Sequence, residues 1–110
     1  MSILKVSNID IGTNKGYARI WLENMTLAKI GLNRHDKIRI TYYDHSKVIV
    51  VALDNNGDHH MHGRDRRGKA ISILDINNAQ LTKFVGNSRT ARVEYETGAI
   101  TIYIDGYIGV

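Results

Sequence analysis

Alternation of apolar and polar positions is the clearest signal in the chain. From Tyr17 to Leu22, Ala18, Ile20 and Leu22 fall on one side while Tyr17, Arg19 and Trp21 fall on the other. That is the period of two a half-buried strand requires. Lys37–Tyr43 repeats it, with Ile38, Ile40 and Tyr42 opposite Lys37, Arg39 and Thr41. So do Arg89–Tyr95, through Ala91, Val93 and Tyr95, and Ala99–Ile104, through Ile100, Ile102 and Ile104. Lys47–Leu53 is apolar and β-branched almost throughout, as in a strand covered on most of its surface. Residues 3–11 and Ala70–Ile76 complete the predicted strands.

Two short helices interrupt this pattern. Asn24 is placed to cap the first, Leu27, Ala28 and Ile30 give it a narrow apolar side, and Gly31 is a natural stop. Asn77 is the expected cap of the second, with Gln80 completing a capping box. Leu81, Phe84 and Val85 form its apolar side, and Gly86 ends it. Gly12–Gly16 and His59–Lys69 are expected to be loops by composition, and Asp54–Asp58 is the strongest turn signal, at the midpoint of the chain. Asp105–Val110 is expected to trail across the surface.

The order of elements therefore occurs twice. Tyr42 falls on Tyr95, Arg39 on Arg92, Ile49 on Ile102 and Val51 on Ile104 at an offset of 53, while Leu27 falls on Leu81 and Gly31 on Gly86 at 54 and 55. The reading is a single domain over residues 1–110, mainly β with two short helices, made of two repeats at about 10–55 and 62–106. One half cannot cover its own apolar strand face, because a sheet needs a second layer, so each half is expected to close on the other.

Composition narrows the function classes. The chain has 110 residues, 43% hydrophobic and 24% charged, and contains neither cysteine nor proline. Disulfides, thiolate metal sites and a cysteine nucleophile are excluded. No apolar run approaches the roughly 18 residues of a membrane span, and the start lacks the layout of a secretory signal, so a cytoplasmic protein is expected. Fifteen Lys and Arg against eleven Asp and Glu give a net charge of +4, which favours anionic partners.

The first half resembles the AbrB/SpoVT/MazE swapped-hairpin family. The shared features are Lys15-Gly16, the strand start Arg19-Ile20-Trp21-Leu22, the helix end Ile30-Gly31-Leu32, and Asp36-Lys37-Ile38-Arg39-Ile40. They span about residues 10–53. Glu23 stands where the family usually has proline, and His35 where it has glycine before the aspartate. The resemblance implies a single-chain, pseudo-dimeric swapped-hairpin barrel. A double-psi or other cradle-loop barrel is the alternative architecture. It also implies a DNA-binding transcriptional regulator, working as a monomeric pseudo-dimer or a homodimer, with Lys15 and Arg19 facing DNA.

The residues themselves point the same way. His62-Gly63-Arg64-Asp65-Arg66-Arg67-Gly68-Lys69 sets four basic residues among glycines, and arginine forks match phosphate oxygens or a guanine edge. The expected nucleic-acid contacts are Lys15, Arg19, Arg64, Arg66, Arg67 and Lys69. Six to ten phosphate contacts would weaken binding about 10³–10⁵-fold between 50 and 200 mM salt. His59, His60 and His62 suggest a metal pair only if Asp58 or another ligand joins them, and an exposed polar loop is the simpler reading. Glu23 and Asp75 are expected at helix starts, compensating the helix dipole. No nucleophile, Walker or zinc-protease motif is present, so neither an enzyme nor a cofactor is expected. The rival reading is a protein-interaction module, antitoxin-like or a phage-encoded inhibitor, gripping its partner through Trp21 and Tyr43.

Overall fold

The computed structural model describes residues 3–105. The first half runs β1 (Lys5–Asp10), β2 (Gly12–Asn14), β3 (Tyr17–Glu23), α1 (Met25–Lys29), β4 (Lys37–Tyr43) and β5 (Val48–Leu53). The second runs β6 (His59–His60), β7 (His62–Arg66), β8 (Lys69–Asn77), α2 (Ala79–Val85), β9 (Thr90–Glu96) and β10 (Ala99–Ile104). All strand pairs are antiparallel.

Two sheets result. One has the order β1-β9-β10-β5-β4-β6, the other β2-β3-β8-β7. Exchanging the halves turns each order into its own reverse, so every sheet is shared equally between them. The helices cross over as well: α1 packs against β8, and α2 against β3.

The backbone bonds fix which positions correspond. Asp54 N–H donates to the Lys37 carbonyl, as Asp105 does to Thr90; Leu53 donates to Gly98, as Ile104 does to Lys47. β4 thus matches β9 at an offset of 53, whereas β5 matches β10 at 51. Ile49 corresponds to Ile100, not to Ile102, and Val51 to Ile102. The reason is the hairpin tip: Asp44–Lys47 makes a four-residue connection where Thr97-Gly98 suffices in the second half.

The apolar alternation predicts the core well. Ala18, Ile20 and Leu22 from β3 meet Leu74 and Ile76 from β8, and Ile38, Ile49 and Val51 meet Val93, Tyr95, Ile100 and Ile102. Leu27, Ile30, Leu32, Leu81, Phe84 and Val85 close the ends.

Three expectations are corrected. The two sheets are open, with β1, β6, β2 and β7 as edges, and do not close into a barrel of either expected type. The chain instead steps from one sheet to the other through single residues, Ile11 and Met61, and no ladder spans those corners. Of the expected loops Gly12–Gly16 and His59–Lys69, only Lys15-Gly16 and Arg67-Gly68 are turns; Gly12–Asn14, His59–His60 and His62–Arg66 are paired strands. Their polar composition reflects edge positions facing solvent. The second helix is capped by Asn78, whose side chain accepts from Leu81 N–H at 2.8 Å. Asn77 is drawn into β8 opposite Arg19, so the expected capping box does not form. The expected trail after Asp105 lies outside the described residues.

Candidate nucleic-acid interface

The four-stranded sheet turns Ala18, Ile20, Leu22, Leu74 and Ile76 inward. Its alternate residues, Asn14, Tyr17, Arg19, Trp21 and Glu23 from the first half and His62, Arg64, Arg66, Lys69 and Asp75 from the second, therefore share the outer face. At its centre Trp21 pairs across the sheet with Asp75, 54 positions on. The two N-caps, Asn24 and Asn78, are separated by the same 54, so this pair sits on the exchange axis of the halves.

Each hairpin of this sheet turns through two residues, both with positive φ: Lys15 at 52° and Gly16 at 86°, Arg67 at 53° and Gly68 at 79°. This is the type I′ geometry, whose twist matches that of the flanking strands. A basic residue thus stands in the left-handed region at both tips, and glycine follows it. The tip of the second hairpin lies seven residues from Asp75, and that of the first five from Trp21, so β7-β8 reaches further. Because β3 and β8 are antiparallel, the tips lie at opposite ends of the sheet. Twelve strand steps span about 40 Å, close to the 38 Å longest dimension of the molecule.

Between the tips the charges are clasped. Arg19 Nε and a terminal nitrogen each meet Asp75 at 3.0 Å, and the guanidinium stacks 4.3 Å from the Trp21 ring centre. Trp21 Nε1 donates to Glu23 at 3.2 Å. Glu23 also accepts from Arg64 at 2.6 Å and lies 3.5 Å from Arg66. Asn77 donates to Asp75 at 3.0 Å, and Asn14 donates to Asn77 at 3.3 Å. Burial pushes the carboxyls of Asp75 and Glu23 up. The hydrogen bonds from Arg19 and Asn77 to the first, and from Arg64 and Trp21 to the second, outweigh it and hold both below the usual carboxylate range. Neither acid sits in the first turn of a helix, so the expected dipole role is replaced by cross-strand ion pairing.

No match to the chain is found among family models, curated proteins or solved structures.

All six basic residues singled out in the sequence belong to this sheet or its tips. Arg19, Arg64 and Arg66 are ion-paired, while Lys15, Arg67 and Lys69 have no acidic partner among the described residues. Glu23 joining the two halves was missed. Its place two residues after Trp21 on the same strand face was the available signal. Arg34, a basic residue of the first half, reaches across to the second: it meets Asp65 at 3.3 Å, and its stem passes where a side chain on Gly63 would stand. The histidines separate at the Met61 corner, His59 and His60 on one sheet and His62 on the other. Among the described residues no three metal-capable side chains cluster. Trp21 and Tyr43 are both exposed but lie on different sheets. Among the described residues no helix is long and apolar enough to cross a membrane.

Proposed function

We propose that the chain is a duplicated, single-chain relative of the swapped-hairpin regulators, and that it lays the outer face of the β2-β3-β8-β7 sheet on double-stranded DNA. The strand orders that reverse on exchanging the halves support the architectural part. The observation carrying the functional part is the pair of type I′ tips, each led by a basic residue, at the two ends of one cationic face. Lys15 at one end, and Arg67 with Lys69 at the other, reach phosphates roughly one turn of B-DNA apart, about 34–36 Å. Arg19, Arg64 and Arg66 lie between them, where guanidinium forks address phosphates or base edges. Glu23 and Asp75 hold these arginines extended across the sheet before contact.

The ion pairs change the expected salt dependence. Six cations against the two carboxylates of that face leave a net four. Four phosphates neutralised give a slope of log K against log salt of about −3.6, or roughly a hundredfold loss from 50 to 200 mM. A mobility-shift series on mixed-sequence duplex DNA measures it. Arg67→Ala with Lys15→Ala should reduce the slope by about two, since each phosphate-contacting cation contributes about one. Absent binding, or binding indifferent to salt, refutes the proposal. A stoichiometric protein captured through Trp21 after nuclease treatment, with no DNA binding, would favour the interaction-module reading.

A further inference from the structure

The two halves finish their outer edges differently. β1 runs along β9 from Tyr95 back to Thr90, whereas its counterpart β6 meets β4 only at Lys37 and Ile38. From Arg39 to Tyr43, β4 has β5 on one side and no strand on the other among the described residues. The Lys37 carbonyl accepts from Asp54 on the β5 side, so Lys37, Arg39 and Thr41 direct their backbone groups there. By alternation, the N–H and C=O of Ile40 and Tyr42 point to the open edge. A cleft of about 590 Å³ follows this edge beneath α2. Ile40, Tyr42 and Phe84 give it an apolar floor, where the Tyr42 and Phe84 rings meet edge to face at 5.1 Å. Arg39, Lys47 and Lys83 line it beside the carboxylate of Asp44; Arg39 is held by Asp54 at 2.7 Å and Lys47 Nζ donates to the Phe84 carbonyl at 2.9 Å, while Lys83 has no acidic partner among the described residues.

We infer that this edge receives an extended acidic peptide from a partner protein as an added antiparallel strand. The molecule contains the precedent: β1 fills the corresponding position on β9, with Leu4 N–H donating to the Tyr95 carbonyl at 2.7 Å and Ile11 N–H to that of Arg89 at 2.8 Å. A strand on β4 would satisfy the groups of Ile40 and Tyr42 in the same way, since an unpaired edge is a template for pairing. Even with Asp44 and Asp54 counted, these three cations leave the cleft net positive, which favours acidic side chains on the incoming strand. They also disfavour a second copy of this chain, which would bring the same cations to the same place. The site lies on the six-stranded sheet, apart from the face assigned to DNA, so the two proposals stand or fall separately.

The probe is a labelled, end-capped octapeptide of alternating glutamate and valine, titrated by fluorescence anisotropy against the full chain. It should bind at least about tenfold more tightly than the same peptide with lysine for glutamate. Lys83→Glu, at an exposed helix position, should weaken it about fivefold. Two further peptides carry N-methyl groups on alternate residues, in the two possible phases. Strand addition requires that one phase lose at least about tenfold and the other bind nearly as before. Equal binding of the glutamate and lysine peptides, equal behaviour of the two methylated phases, or no binding would overturn the inference. So would light scattering that shows a dimer from which the peptide is excluded, because the edge would then belong to a second copy.

Discussion

Asn24→Ala probes the joint between the halves, because this side chain works in two directions. Its Oδ1 accepts Leu27 N–H at 3.1 Å, and its Nδ2 donates to the Tyr95 hydroxyl of the other half at 3.0 Å. Losing the cap costs about 1 kcal/mol. Tyr95 is fully buried, so its hydroxyl is stranded, at about 1–2 kcal/mol more. The expected total is roughly 2–3 kcal/mol. Asn78 makes the matching cap, but the Tyr42 hydroxyl near it belongs to a half-buried side chain that water can reach. Asn78→Ala should therefore cost only about 1 kcal/mol. Tyr95→Phe alone should also cost about 1 kcal/mol. Combined with Asn24→Ala it should fall short of the sum by about 1 kcal/mol, since the stranded hydroxyl is gone. Urea unfolding at unchanged m-value measures all four variants. An Asn24→Ala no costlier than Asn78→Ala, or additivity within about 0.3 kcal/mol, would refute the reasoning.

Gly57→Ala should destabilise by about 3 kcal/mol, read by urea unfolding, because its new methyl would collide with the backbone carbonyl of Ile38 on the β6 side of β4. Gly68→Ala has open space around it and only the left-handed backbone to oppose it, so about 1–2 kcal/mol is expected. A loss at Gly57 no larger than that at Gly68 would remove the steric argument. Asp75 and Glu23 are depressed in the folded chain, so their contribution is present above the ordinary carboxylate value near 4 and is lost as pH falls through the lower folded values. Unfolding curves at pH 6 and pH 3 should therefore differ less for Asp75→Asn with Glu23→Gln than for the unaltered chain.

Strands with one apolar face were legible because burial imposes a period of two on them. β3, β4, β9 and β10 carry that imprint, while β8 is buried on both sides at Ser72–Leu74 and breaks it. β2, β6 and β7 carry none, since an edge strand of polar residues satisfies its backbone on one side and leaves its side chains in water. Gly12–Asn14 and His62–Arg66 looked like loop residues for that reason, whereas Lys15-Gly16 and Arg67-Gly68 are indeed the turns. Neighbouring asparagines, Asn77 and Asn78, offered two caps of equal chemical merit. The ladder opposite Arg19 chose between them, and that contact joins residues 58 positions apart. The basic residues of the site were visible as composition. The carboxylates restraining them were not, because Arg64 reaches Glu23 across 41 positions.

The interleaving of the halves has a consequence for how the molecule behaves in dilute solution. When strands of two separate chains share both sheets, the fold exists only while the chains stay associated, and its stability falls with concentration. Here residues 54–58 hold the two contributors together permanently. Folding becomes a one-molecule event that dilution does not reverse. The two ends of the sheet are also free to differ, as the longer β7-β8 hairpin already does, which gives the molecule a direction that two identical chains around an axis cannot have.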